Sequence, residues 1–223
     1  GVLTDATADI GLTLILALTR RAVEGMKLVE AGKFTGWCPT WMMGPGLKGR
    51  PLGIVGMGRI GEAMALRCKA FGMTIHYHNR RRIAPEMERA LEATYWPDLD
   101  VMLPEMDIVS INAPSTPETR HLFSAERLKR MKKTAYLINT ARGDIIDEAA
   151  LAAALERGEL AGAGLDVYEF EPKVHPKLIG RPDVVLLPHL GSSTYEARNG
   201  MGEKVIANIE AHLAGRSLPD RVA

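Results

Sequence analysis

Three side chains with complementary chemistry, Arg142, Glu171 and His189, each follow a short apolar run of the sequence. A guanidinium binds a carboxylate through two parallel hydrogen bonds and can polarise the adjacent carbonyl. A histidine donates a proton to a carbonyl oxygen as hydride arrives, or removes one in the reverse direction. A carboxylate beside that histidine keeps the imidazolium populated near neutral pH. Together the three residue types predict reduction of a ketone, or oxidation of a hydroxy acid.

Short apolar runs alternate with helical segments from Pro51 onward, a pattern typical of a parallel sheet covered by helices on both faces. Ligands of such sheets bind beyond the carboxyl ends of the strands, so the three side chains should share one rim. The predicted fold is α/β, a Rossmann-type doubly wound parallel sheet. Its predicted strands are 52–56, 73–78, 107–112, 134–139, 161–167 and 183–188. Its predicted crossovers are 59–71, 86–93, 124–131, 148–157 and 176–178.

The first predicted strand ends in a glycine turn that opens into a helix, with Gly56, Gly58 and Gly61 in the spacing of a dinucleotide-binding motif. Gly56 permits the tight turn, Gly58 lets a pyrophosphate approach the backbone, and Gly61 lets the helix lie close to the strand. The helix N-terminus supplies amide donors and a partial positive charge. Taken alone, the motif also fits an ordinary turn before a helix.

The next predicted strand ends in Asn79, Arg80, Arg81 and Arg82. A carboxylate here would bind the ribose 2′-hydroxyl of NAD, whereas guanidinium groups bind a 2′-phosphate. We therefore expect NADP(H) to be preferred, with NAD(H) possible. A solvated basic turn is the alternative interpretation.

Bulk properties exclude several classes of protein. The chain has 223 residues, 46% of them hydrophobic, and a formal charge of +1, so nothing indicates a nucleic-acid partner or an anionic membrane. Its longest apolar stretch, 10–18, is too short to cross a bilayer. Cys38 and Cys68 have neither metal-ligand nor redox spacing, which favours unpaired thiols and a cytoplasmic location. The histidines other than His189 show no metal-binding spacing.

Three regions are expected along the chain. Region 1–50 comprises one long helix over 4–31 and a loop with Trp37 and Trp41, both attached to the coenzyme domain. Region 51–192 is the nucleotide-binding domain. Region 193–223 is a C-terminal helix, with Ser193 as its N-cap, and a polar tail, and it is expected to return to a substrate domain outside this sequence. The helix over 4–31 is apolar on nearly all sides in its first half, which predicts a partner subunit that covers it.

Four segments resemble the signature segments of the D-2-hydroxyacid dehydrogenases: 54–61, 138–147, 164–172 and 187–192. They occur in the order and at the intervals of that family, and the similarity covers essentially the whole chain. Within the family, the likeness is greatest to the glyoxylate/hydroxypyruvate reductases, because of 79–81 and the segment 36–41.

The resemblance implies roles for individual residues. Arg142 would bind the substrate, a small 2-oxo or 2-hydroxy acid, and Glu171 would pair with His189 as the acid-base catalyst. Asp166, at the end of its strand, would hold the nicotinamide carboxamide. Trp41 would reach across a homodimer, formed through the N-terminal helix and loop, into the substrate pocket of the neighbour. Arg142 and His189 are also expected to contact the cofactor. The remaining residues expected to contact it are Arg59, Ile60, Pro114, Thr140, Ala141, Gly191 and Ser192.

The family begins with a substrate domain of about a hundred residues, which this sequence does not contain. We therefore expect weak or absent catalysis by the chain alone, since the domain closes the cleft. Two alternatives remain open. One is another dehydrogenase of the superfamily, such as a phosphoglycerate or formate dehydrogenase, although Glu171 argues against the latter. The other is a dinucleotide-sensing interaction protein like the C-terminal binding protein corepressors.

Overall fold

The computed structural model describes residues 1–221, and its centre is a seven-stranded, wholly parallel sheet. The strand order is β3-β2-β1-β4-β5-β6-β7, so the chain reverses its direction of winding between β1 and β4. That reversal opens a crevice at the carboxyl ends of these two strands. The predicted doubly wound α/β fold is confirmed.

Helices cover both faces of the sheet. The strands are β1 (Pro51–Val55), β2 (Thr74–His78), β3 (Thr94–Tyr95), β4 (Ile108–Ile111), β5 (Tyr136–Asn139), β6 (Gly162–Leu165) and β7 (Val184–Leu186). The helices are α1 (Thr4–Thr19), α2 (Ala22–Glu30), α3 (Arg59–Ala70), α4 (Pro85–Leu91), α5 (Leu99–Met102), α6 (Ala125–Arg130), α7 (Glu148–Glu156) and α8 (Tyr195–Leu213). Short 3₁₀ turns occupy Leu103–Glu105, Gly143–Ile145 and Pro176–Leu178.

Two hydrophobic cores lie on the two faces of the sheet, because successive strand side chains point to opposite sides. On β1, Val55 belongs to the core that contains α5, α6 and α7, whereas Leu52 and Ile54 belong to the core that contains α1 and α3. Helix α1 contacts α3 and the strands β5, β6 and β7. Both faces of the sheet are buried, which explains why its strands are apolar runs rather than alternating ones.

The predicted single helix over 4–31 is wrong, since two helices are separated at Arg20 and Arg21. Arg21 adopts a left-handed φ of 51° and forms two hydrogen bonds with Glu24, at 2.8 and 2.7 Å, which stabilise the start of α2. The loop after α2 brings Gly44 so close to the carbonyl of Thr19 that a side chain would not fit there. Helix α1 therefore ends where a distant segment packs against it.

The other differences from the sequence prediction concern element ends and short elements. All six predicted strands exist: five are shorter than predicted, and β1 lies one residue earlier, at Pro51–Val55. The two-residue β3 and the one-turn α5 were not predicted. The last helix is capped by Thr194, whose side chain accepts the N–H of Ala197, and not by Ser193. Gly215 follows the helix with φ of 65°, the left-handed conformation typical of a glycine that ends a helix.

Cys38 is exposed, Cys68 is buried, and neither forms a disulfide. No helix within residues 1–221 combines the length and apolarity that crossing a bilayer requires.

Candidate active site

A cleft of about 820 Å³ opens at the carboxyl ends of β1, β2 and β4. Six residues predicted to contact a dinucleotide are among those that line it: Gly56, Gly58, Asn79, Arg80, Arg81 and Pro114. The cleft therefore lies at the position where the sheet topology predicts a ligand.

The glycine turn leaves open space beside the start of α3. Gly56 has φ of 99°, and a Cβ atom there would come within 2.5 Å of the amide nitrogen of Ala113. A Cβ atom on Gly61 would collide with the carbonyl oxygen of Gly56, so the start of α3 packs directly on the turn. By contrast, a Cβ atom on Gly58 would meet nothing within 4 Å. The turn leaves open space beside the free amides of the first turn of α3, which fits a dinucleotide pyrophosphate.

Asn79 holds this turn in place. Its Oδ1 accepts the N–H of Met57 at 2.7 Å, and its Nδ2 donates to the carbonyl oxygen of Met57 at 3.3 Å. Both polar ends of the side chain thus contact the glycine turn, while the residue also lines the cleft. Contact of Asn79 with a ribose stays a prediction.

The three arginines after β2 differ in their surroundings. Arg80 and Arg81 are exposed and line the cleft. A hydrogen bond from Thr116, and more weakly the charge of Arg80, hold the pKa of Glu118 below its usual range, and Glu118 lines the same cleft. Arg82 instead makes two 2.7 Å hydrogen bonds to the carboxylate of Glu88. Within residues 1–221, Arg82 therefore has a side-chain partner, whereas the guanidinium groups of Arg80 and Arg81 have none.

His189 and Glu171, predicted from separate strand ends, form a direct pair. Nδ1 of the histidine lies 2.9 Å from Oε2 of Glu171, and Oε1 of Glu171 accepts the N–H of Tyr168 at 3.0 Å. Burial raises the pKa of Glu171, but these two hydrogen bonds and the charge of Arg142 outweigh burial, so the pKa lies below its usual value. Because an ionised carboxylate only accepts, Nδ1 carries the hydrogen and Nε2 is left for a substrate.

The backbone at His189 is left-handed, with φ of 57°, and neighbouring groups hold it there. Asp166, which is fully buried, accepts the N–H of Leu190 at 2.7 Å and that of Gly191 at 2.8 Å. The hydroxyl of Thr7 on α1 donates to the carbonyl oxygen of Gly191 at 3.0 Å. The sequence did not indicate this role for Asp166, and its contact with a nicotinamide carboxamide stays a prediction.

Arg142 is exposed at the end of β5, on a turn held by Asn139. Nδ2 of Asn139 donates to the carbonyl oxygen of Arg142 at 2.9 Å, and Oδ1 accepts the N–H of Ala141 at 3.0 Å. The next residue, Gly143, touches the backbone of Tyr168, so the loops that carry Arg142 and Glu171 are in contact. Sequence reasoning missed Asn139, although an amide at the end of an apolar run was the available signal.

The other predicted cofactor residues do not line the 820 Å³ cleft. Arg59, Ile60 and Gly61 form the first turn of α3. Thr140 and Ala141 follow β5, and Gly191 and Ser192 follow His189, so these lie further along the same edge of the sheet.

Trp41 lies in the loop between α2 and β1, where its ring stacks on Phe34 with centroids 5.7 Å apart. The apolar surface around it is open, since α2 has no buried residue and Trp37 is 77% exposed. A second cavity, of about 540 Å³, lies beside His189 and Glu171. Its other walls are Tyr168, Pro172, Val174, Leu186, Leu187 and Pro188.

Two of the remaining histidines, His78 and His121, have partners close to them in the fold. His78 contacts the carbonyl oxygen of Trp96 at 2.9 Å, and Nε2 of His121 lies 2.7 Å from Oε1 of Glu169. No cluster of three or more potential metal ligands occurs within the described part of the chain.

Comparison with known proteins gives concordant matches. A family model described as D-isomer specific 2-hydroxyacid dehydrogenase, NAD binding domain, matches residues 12–191. The chain is 48% identical over 226 positions to a glyoxylate reductase of Thermococcus litoralis, covering 100% of this chain and 68% of that protein. It is also 48% identical to a glyoxylate reductase of Thermococcus onnurineus, covering 99% and 67%.

Among solved structures, an NADPH-dependent glyoxylate/hydroxypyruvate reductase of Sinorhizobium meliloti, in complex with NADP and malonate, superimposes with a TM-score of 0.92. The two chains are 37% identical, and the match covers 100% of this chain and 68% of that one. The chain thus spans about two thirds of the length of these proteins.

Proposed function

Since the chain belongs to the D-isomer specific 2-hydroxyacid dehydrogenases and contains their NAD-binding domain, we propose that it reduces a small 2-oxo acid such as glyoxylate or hydroxypyruvate. It is an NAD(P)-dependent oxidoreductase, and relatives at 48% identity are glyoxylate reductases. The observation that carries the proposal is the hydrogen-bonded pair of His189 and Glu171 at the sheet edge that also holds the glycine turn.

In the proposed reaction, Nε2 of His189 donates a proton to the carbonyl oxygen of the substrate. When bound in the cleft, the nicotinamide cofactor supplies the hydride. Glu171, ionised at neutral pH, orients the ring through Nδ1 and stabilises the protonated imidazole. Arg142 binds the substrate carboxylate, and its positive charge favours the developing alkoxide.

We further propose that NADP(H) is the preferred cofactor. Support comes from Arg80 and Arg81, which line the cleft beyond β2, where the ribose of a dinucleotide is expected. No carboxylate side chain follows the end of β2 to bind a 2′-hydroxyl, since Asn79 occupies that position.

The test is oxidation of NADPH and, separately, of NADH by the full-length protein with glyoxylate or hydroxypyruvate. Arg80→Ala combined with Arg81→Ala should weaken NADPH binding more than NADH binding, whereas the exposed Arg89→Ala should leave both unchanged. Equal losses for the two cofactors would refute the 2′-phosphate assignment. Cofactor binding without turnover of either acid would refute the enzymatic proposal in favour of a dinucleotide sensor.

We also propose a homodimer in which Trp41 packs into the substrate site of a second copy. Support comes from the uncovered apolar surface of α2 and its loop, and from the mostly apolar cavity beside His189. Sedimentation should give twice the monomer mass. Trp41→Ala should raise the KM for the 2-oxo acid without changing NADPH affinity, and an unchanged KM would refute the contact.

A further inference from the structure

The segment between β2 and α4, which carries the arginine turn, is held at its first residue. Asn79 makes two hydrogen bonds to the backbone of Met57 through its side chain. Its carbonyl oxygen also accepts the hydroxyl of Tyr95 at 3.3 Å. The start of the turn is therefore tied both to the glycine turn and to the edge strand β3.

The same segment is held again three residues later. Nε and Nη2 of Arg82 each donate to one oxygen of Glu88, both at 2.7 Å, in the two-pronged geometry that fixes a guanidinium plane. The guanidinium carbon of Arg82 also lies 5.7 Å from the centre of the Tyr95 ring. Arg82 is thus fixed in both position and orientation.

Glu88 is a buried and multiply hydrogen-bonded anchor for this contact. The residue is 8% exposed, and its carboxylate also accepts the hydroxyl of Tyr77, a fully buried residue. The same hydroxyl accepts the N–H of Ile83 at 3.2 Å. A buried carboxylate is costly unless it is paired, so Glu88 and Arg82 hold each other in place.

Two residues remain between these anchors, Arg80 and Arg81. Both line the cleft, and neither makes a hydrogen bond or an ion pair within residues 1–221. A turn of two residues with fixed ends has few backbone conformations, so both side chains start from a backbone that lines the cleft before a ligand arrives.

We propose that Glu88 is a positioning residue for cofactor selection, which acts through Arg82 and Tyr77 to hold Arg80 and Arg81 ready for the 2′-phosphate. The inference rests on the proposed NADP(H) preference and names the residues that create it. Ordering the turn in advance lowers the entropy cost of binding only for a ligand that uses these arginines. NADH binding should therefore be nearly independent of Glu88.

The direction in which Glu88→Gln changes NADPH affinity separates this role from simple electrostatics. Glu88→Gln removes a negative charge near the phosphate site, so Coulomb interactions alone would strengthen NADPH binding. Loss of the anchor should instead weaken NADPH binding by about three- to tenfold and change NADH affinity by less than about twofold. A merely structural defect would weaken both cofactors to the same extent.

The experiment is calorimetric titration of the full chain with NADPH and with NADH. Glu88→Gln is compared with Glu86→Gln, which removes an exposed carboxylate from the same helix and should change neither affinity. Tyr77→Phe deletes one hydroxyl and, like Glu88→Gln, should lower the preference for NADPH over NADH. It serves as a second variant if Glu88→Gln fails to fold.

The outcomes are distinguishable. If the unmodified chain binds NADH as tightly as NADPH, the proposed cofactor preference is refuted. If it prefers NADPH while both variants keep its selectivity or increase it, only the positioning role is refuted. A selective loss of NADPH affinity in Glu88→Gln and Tyr77→Phe supports both.

Discussion

Replacing Asp166 with asparagine tests whether one buried carboxylate holds the turn that carries His189. Asp166 accepts the N–H of Leu190 on one oxygen and the N–H of Gly191 on the other, at 2.7 and 2.8 Å. The two donors approach different oxygens of Asp166, and an asparagine has an oxygen at only one of these positions and an NH₂ group at the other. The other N–H would face a second donor in a fully buried site.

The expected cost follows from these contacts. A buried N–H without an acceptor costs about 1–3 kcal/mol, and a neutral acceptor in place of a charged one loses about 1 kcal/mol more. Burial raises the pKa of Asp166, and the two backbone hydrogen bonds and the charge of His189 offset only part of that rise. The neutral amide also removes a charge that burial disfavours, and this offsets part of the lost free energy of unfolding. We expect Asp166→Asn to lower the free energy of unfolding by about 2 kcal/mol, or the Tm by about 4–8 °C.

Urea unfolding followed by circular dichroism measures this change, with the slope m as a check that the denatured state is unaltered. Asp144→Asn is the matched control, because that carboxylate accepts the Ser115 hydroxyl in a more exposed position. The control should change the free energy of unfolding by less than about 0.5 kcal/mol. A loss for Asp166→Asn no larger than that of the control would show that the carboxylate does not hold the turn.

Three further predictions concern catalysis, the glycine turn and acid stability. His189→Ala should lower turnover of the 2-oxo acid by about 10²–10⁴-fold with NADPH affinity retained, and steady-state kinetics with calorimetry would check both. Gly56→Ala should lose dinucleotide binding and lower stability by about 1–3 kcal/mol, because its φ of 99° is strained for alanine, which thermal unfolding would measure. Burial raises the pKa of Asp107, but hydrogen bonds from Lys132 and Arg50 outweigh burial, so the pKa is lowered on folding. The ionised Asp107 therefore stabilises the fold fully above about pH 4, and this stabilisation is lost as the pH falls through the pKa of the folded state. In urea titrations at decreasing pH, Asp107→Asn should show a smaller loss of unfolding free energy than the unmodified chain.

The turn beyond β2 shows how far the sequence predicted the site. Three arginines in a row indicated a phosphate site, and Arg80 and Arg81 do line the cleft. Arg82 does not remain available, because Glu88 reaches it from a helix six residues further along the chain. Asn79, expected near a ribose, has both side-chain ends bonded to Met57. Which of several similar side chains is free depends on neighbours that a sequence pattern does not identify.

The positions of six of the seven strands along the chain, and the shared edge of Arg142, Glu171 and His189, were determined by the sequence itself. Buried parallel strands require continuous apolar runs, and the carboxyl ends of such strands necessarily meet at one edge of the sheet. Only the tertiary structure decided the break after α1, where a returning loop packs at Thr19, and the turn at His189, which is held by Asp166. Both depend on contacts between segments far apart in the chain, which local residue preferences do not predict.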